Sequence, residues 1–251
     1  MEPKVFAHPT LYVEQWGERG ERVILIHGGN GSGANSFQAQ KPLAERWTLL
    51  LPDRPGTGKS PDIGTRDFER DAAYIVDLMG EGAHVVGHSY GGIVALYAAA
   101  LRPAGVRSLT VIEPPMFGIV QGDPDVDAMR DGLIDLWTNP PDPETFLRRF
   151  FVLSGAVVTL PPSPLPPRLI TASLNMLTIR PPWEATIPTG LDAAPFQKLV
   201  ITGGHSRAYD VVAEGVAAAI GAARQVIAGN QHSVQDLGAP FNEALEAFWR
   251  T

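Results

Sequence analysis

The 251 residues contain no cysteine, which excludes disulfides and thiolate metal sites. No apolar run approaches the ~20 residues of a membrane-spanning helix. Met1 to Thr10 has no apolar core of the kind a signal peptide carries. Positive charge is also in short supply. Lys and Arg number 20 against 27 Asp and Glu, a formal net charge of −7, which argues against a sequence-independent nucleic-acid binder. No pair of histidines has metal-ligand spacing. The expectation is a soluble cytoplasmic protein that acts on a small molecule, with no cofactor, no metal, and no nucleic-acid or membrane partner. No feature of the sequence specifies an oligomeric state.

What is present is an ordinary hydrophobic fraction, 44%, in a chain long enough to bury ~75% of its unfolded surface. Short continuous apolar runs alternate with helical patterns. Val23 to Ile26, Trp47 to Leu51, Val85-Val86, Val106 to Ile112 and Leu199 to Thr202 read as strands buried on both faces. Thr10 to Trp16 and Gln225 to Ala228 read as further strands. Asp67 to Met79, Gly92 to Leu101, Arg207 to Ile220 and Pro240 to Trp249 read as helices. The alternation predicts an α/β layer fold. It breaks from about Phe117 to Pro195, where prolines are dense, above all from Pro161 to Pro167. That stretch is too long and too apolar for a plain loop. It is expected to be an insertion, residues 117–195, between two parts of one core, residues 1–116 and 196–251. The proline cluster reads as an ordered lid segment or hinge.

Gly87-His88-Ser89-Tyr90-Gly91 fits G-x-S-x-G between a strand and a helix. A serine on so sharp a turn projects its oxygen above the sheet, and glycines two positions either side avoid collision. The helix that follows points its positive end at the site. Near the start, His27-Gly28-Gly29-Asn30-Gly31-Ser32-Gly33 follows a buried strand. Its amides can face a substrate oxygen, with Gly29 the better donor and Asn30 the lesser choice. The second donor is the amide of Tyr90. Losing one such donor typically costs ~3 kcal/mol of transition-state stabilisation. The same stretch also fits a dinucleotide fingerprint, Gly29-x-Gly31-x-x-Ala34, with Asp53 in place as a ribose acid. That reading leaves Ser89 and His232 unexplained, and Ala34 to Gln40 is a poor amphipathic helix. Gly58-Lys59-Ser60 lacks the glycine that a phosphate loop needs five positions before Gly58, so a structural turn is expected there. His232 lies on a loop after the last strand, where a general base can reach the serine proton. His27 and His88 are expected to pack and hydrogen-bond. His8, His84 and His205 are expected to be structural or at the surface.

These motifs, with Asp53-x-x-Gly56-x-Gly58-x-Ser60 and with Pro240 and Phe248 behind His232, resemble the α/β-hydrolase superfamily from about Thr10 onward. The resemblance implies the α/β-hydrolase fold: a mostly parallel central sheet, helices on both faces, and an inserted helical cap. It also implies a serine hydrolase with Ser89 as nucleophile, His232 as base, and Gly29 and Tyr90 as oxyanion donors. The chain departs from the family at the third triad position. The usual aspartate slot after the penultimate strand reads Gly203-Gly204-His205-Ser206, with serine where the acid belongs. Two carboxylates compete for the role: Glu113, at the end of the strand after the nucleophile helix, and Asp210. The aromatic content of the cap (Trp137, Phe146, Phe150, Trp183) implies a largely apolar substrate pocket. The expected reaction is hydrolysis of a small-to-medium carboxylic ester, lactone or thioester through an acyl-enzyme. The alternatives are a C–C bond or amide hydrolase, a lyase or cyclase on the same scaffold, or a receptor-like binding module with little turnover. Certain dehalogenases of the superfamily use an aspartate nucleophile, so Ser89 argues against that activity.

Overall fold

The computed structural model describes residues 4–29, 31–64, 66–156, 158–229 and 231–250. Eight strands form one sheet: β1 (Lys4–Phe6), β2 (Val13–Trp16), β3 (Arg22–Ile26), β4 (Thr48–Pro52), β5 (Ala83–His88), β6 (Val106–Ile112), β7 (Gln197–Thr202) and β8 (Ala223–Val226). Their spatial order is β1-β2-β4-β3-β5-β6-β7-β8. β1 and β2 are antiparallel to their neighbours, and every pairing from β4 to β8 is parallel.

Period-two alternation sorts the strand residues between two layers. Ile24, Ile26, Leu50, Val85, Leu109, Val111 and Val200 face one apolar layer. Val23, Leu25, Leu49, Leu51, Val86, Ile112 and Ile201 face the other. The first layer is covered by α2 (Phe68–Leu78), α3 (Tyr90–Leu101) and α7 (Arg207–Ile220). The second is covered by α8 (Ala239–Trp249) and by a 3₁₀ stretch, Gln38–Glu45, that follows the short α1 (Gly33–Ser36). Thus Ala34 to Gln40 forms no long helix. α3 starts at Tyr90, two residues ahead of the start its sequence predicts, because the sharp turn at Ser89 sets the helix direction before the Gly91-Gly92 pair can weaken it. β8 is shifted two residues earlier than expected, to where it pairs with β7. β1 had no apolar signature: Lys4 and Val5 are exposed.

Between β6 and β7 the chain makes α4 (Pro124–Thr138), α5 (Pro143–Leu153) and α6 (Pro167–Met176). Each opens on a proline, which costs least where the helix has no amide bond to lose. Asp123 and Asp142 cap α4 and α5 by accepting from the second and third amides of each helix. The prolines there mark helix starts, and Pro166-Pro167 does the same for α6. The insertion has its own small core of Leu136, Phe146, Leu147, Leu165 and Met176. Its last stretch is strapped to the sheet domain: the Arg180 amide donates to the Arg66 carbonyl at 2.8 Å, and its guanidinium reaches Asp67 and Glu69. Among the described residues no helix is long and apolar enough to cross a membrane.

Candidate active site

Ser89 sits between the end of β5 and the first residue of α3 with φ 54° and ψ −125°. Only a tight turn holds a non-glycine residue there. The turn closes because Gly87 and Gly91 lack side chains. A Cβ on Gly87 would lie 2.1 Å from the Gly91 carbonyl oxygen, and one on Gly91 would lie 2.3 Å from that of Ile26. Tyr90, as first residue of α3, has an amide with no carbonyl partner inside the helix.

Glu113 follows β6 directly and is fully buried, also at positive φ, 49°. Its Oε1 accepts from the Gly203 amide at 2.6 Å, and its Oε2 lies 3.4 Å from His232 Nδ1. The loops that carry these groups come together because position 203 is glycine. A Cβ there would lie 2.2 Å from the carbonyl oxygen of Gln231, the residue before His232. Gln231 has φ 50°, so among the described residues the three non-glycine residues at positive φ are Ser89, Glu113 and the neighbour of His232. Strain of this kind gathers at functional sites.

Asp210, the competing acid, is engaged elsewhere. Its Oδ1 accepts from Thr202 Oγ1 at 2.6 Å and from the Arg224 guanidinium at 2.7 Å. The structure thus places Glu113, and not Asp210, against His232. Burial pushes the Glu113 carboxyl up to about 7, against the opposing pull of the Gly203 amide. Burial also pushes His232 down to about 3, with His205 adding to it. The imidazole is therefore neutral at neutral pH.

His27 and His88 hold backbone, as expected of them. His27 Nδ1–H donates to the Gly28 carbonyl at 2.8 Å, and its Nε2 accepts from the Arg54 amide at 3.1 Å. His88 Nε2–H donates to the His232 carbonyl at 2.9 Å. Arg54 carries no motif signal of its own, and sequence reasoning missed it. It is 1% exposed, pairs with Asp71 at 2.8 Å, donates to the carbonyls of His27 and Gly28, and lies over the Tyr90 ring. It anchors the loop before Gly29 to the helix after Ser89. The one available signal was a lone arginine after a buried strand end. Asp53 accepts from the Gly33 and Lys59 amides, both at 2.8 Å, so the acid that a dinucleotide reading requires is committed to the turn. Asn30, the lesser oxyanion choice, lies outside the described residues.

Ser89 stands where two cavities meet. One, of about 330 Å³, is lined by Ser89, His232, Gly29 and, from the insertion, Phe150, Phe151 and Leu169. The other, of about 40 Å³, is lined by Ser89, Tyr90, Trp137, Phe150, Trp183 and Ile179 among others. Of the four aromatic residues expected to contact substrate, Trp137, Phe150 and Trp183 reach a cavity wall. Phe146 reaches neither. It is fully buried under Trp137 and belongs to the insertion's own core.

The family profile described as alpha/beta hydrolase fold matches residues 21–150, and the chain belongs to that family. A pimeloyl-(acyl-carrier protein) methyl ester esterase of Methylococcus capsulatus is 33% identical over 151 residues, 58% of this chain and 57% of that one. The chain spans little more than half, or less, of the length of the curated relatives it matches. Among solved structures, an esterase from Exiguobacterium antarcticum superposes with TM-score 0.71 at 23% identity, covering 96% of each chain. A haloalkane dehalogenase variant from Bradyrhizobium elkanii gives TM-score 0.71 at 22% identity, covering 99% of this chain and 97% of that one. At such identities the two structures share the fold.

Proposed function

We propose that this chain hydrolyses a small-to-medium, largely apolar carboxylic ester, lactone or thioester through an acyl-enzyme on Ser89. The observation that carries the reading is the buried Glu113–His232 contact, opening with Ser89 onto one cavity. With Nδ1–H turned to Glu113, His232 keeps its Nε2 lone pair for the Ser89 hydroxyl proton. The serine oxygen bonds to the carbonyl carbon, and the resulting oxyanion is held by the amides of Gly29 and Tyr90. The C–O or C–S bond breaks, and the leaving group takes the proton from His232. Water then gives a proton to His232 and attacks the acyl carbon. The second oxyanion collapses, releasing the acid and returning the proton to Ser89. Residues 117–195 act as a cap whose aromatic walls select the substrate. The name of the Methylococcus relative is that of an ester hydrolase, which supports an ester over a C–C bond.

Intact mass after fluorophosphonate treatment tests the nucleophile. The expected result is one adduct on the wild type and none on Ser89→Ala. A folded wild type without an adduct sinks the acyl-enzyme and favours a binding module. Turnover in ¹⁸O-water then separates hydrolysis, which puts solvent oxygen into an acid product, from a lyase or cyclase reaction.

A further inference from the structure

His205 stands in the vacated acid segment, and its side chain is 9% exposed. Among the described residues neither ring nitrogen has a hydrogen-bond partner. A neutral imidazole must carry one N–H, and leaving it buried and unpaired is unfavourable. The Nε2 edge is closed off by the turn after α5: a Cβ on Gly155 would lie 2.9 Å from both Cδ2 and Nε2. The Nδ1 edge faces the buried carboxylate, with Nδ1 3.7 Å from Glu113 Oε1. A shift of under about 1 Å makes this a hydrogen bond.

We propose that His205 is a positioning residue for the Glu113–His232 pair: its Nδ1–H donates to Glu113 Oε1, so that two imidazoles and the Gly203 amide grip one carboxylate. The proposal rests on the serine-hydrolase reading above. Its chemical logic is that Glu113 is useful only when ionised, because a protonated carboxyl cannot stabilise the imidazolium of His232. Burial works against ionisation. The groups that bear on Glu113 are His232, His205, Tyr209, Asp210 and Arg224. Asp210 opposes its charge, and Arg224 is paired to Asp210 and Glu214. A donor on Oε1 opposes the burial directly. It also fixes the carboxylate plane, so that Oε2 faces His232. In this chain the segment after β7 thus supplies a donor, and the carboxylate comes from the end of β6.

The test compares His205→Ala with His205→Asn, whose amide nitrogen can stand in for Nδ1. In His205→Ala the acidic limb of the kcat/KM–pH profile should move up by about one pH unit. Its kcat should fall about tenfold or more, with KM little changed. His205→Asn should restore both. A ¹⁵N imidazole spectrum of Ser89→Ala protein needs no turnover. It should show His205 as the Nδ1–H tautomer, with its signal displaced by adding Glu113→Gln. An Nε2–H tautomer overturns the proposal. So does a folded His205→Ala with the wild-type limb and kcat, or a folded His205→Asn no better than alanine. If His205→Ala fails to fold, the spectrum and the asparagine variant decide. If Ser89 proves unreactive, the spectrum still reports the His205–Glu113 bond by itself.

Discussion

Along β3, Val23 and Leu25 face one apolar layer while Ile24 and Ile26 face the other, and the same alternation runs through to β7. Between β6 and β7 there is no such lattice. Three proline-started helices share a core of five buried side chains, Phe146 among them, and join the sheet domain through Val126, Leu133 and Ile179 in its first apolar layer, through Arg180 and through the walls of two cavities. The comparison separates two jobs. A lattice buried on both faces can hold strained residues at its strand ends, and Ser89 and Glu113 are held there. A small satellite core has little stability to lend to strain, and it contributes aromatic walls. Substitutions in the first region should therefore act on turnover, and substitutions in the second on selection.

The largest effect that would break this division is at Glu113. Glu113→Gln should cut kcat by about 10⁴-fold through the wrong imidazole tautomer, while Asp210→Asn, off the His232 contact, should cost less than tenfold. Stability should move the other way. The Glu113 carboxyl is raised above its unfolded value, so the folded state prefers it protonated. Its ionisation costs stability that grows as pH rises from about 4.5 to about 7. Glu113→Gln should then raise Tm at pH 8 and change it little at pH 4. A Tm that falls equally at both would show the carboxylate to be structural.

Next in size is a pair within the insertion. Trp183→Ala should change the kcat/KM ratio between a short and a longer acyl substrate by about 1–3 kcal/mol and leave the fold intact. Phe146→Ala, on the insertion's core, should cost about 3–5 kcal/mol of stability. If Phe146→Ala changes selectivity while Tm holds, the separation between cavity wall and satellite core is wrong. Smallest is Asp142→Ala, which removes the cap of α5 and should cost about 1 kcal/mol, read by denaturant midpoint. The expected accompaniment is faster hydrogen exchange in α5 and none in β5.

The sheet was legible because buried strands advertise themselves as apolar runs, and Val85-Val86 before Gly87-His88-Ser89 marked both a strand and its turn. Glu113 was visible as a carboxylate at a strand end. The insertion's helices were not, since Pro124, Pro143 and Pro167 read as breakers until their place at the first helical position is seen. Nor was the support beneath the site. The His88–His232 bond joins residues 144 apart, and Arg54 works through carbonyls and a carboxylate that no local pattern reports. His205, expected to be structural or at the surface, lies beside the acid because Gly203 lets two loops approach. That contact exists only in three dimensions.

Glu113 is the first residue after β6, and Pro114-Pro115 leads from it straight into the insertion. The strand end beneath the candidate proton relay and the root of the aromatic walls are therefore one stretch of chain. An exchange of whole insertions between members of the family, by recombination or by design, would have to be cut after Glu113. A junction placed earlier would carry a foreign acid, or none, into the site along with the new walls. Modularity in this chain thus begins one residue later than its strand boundary suggests.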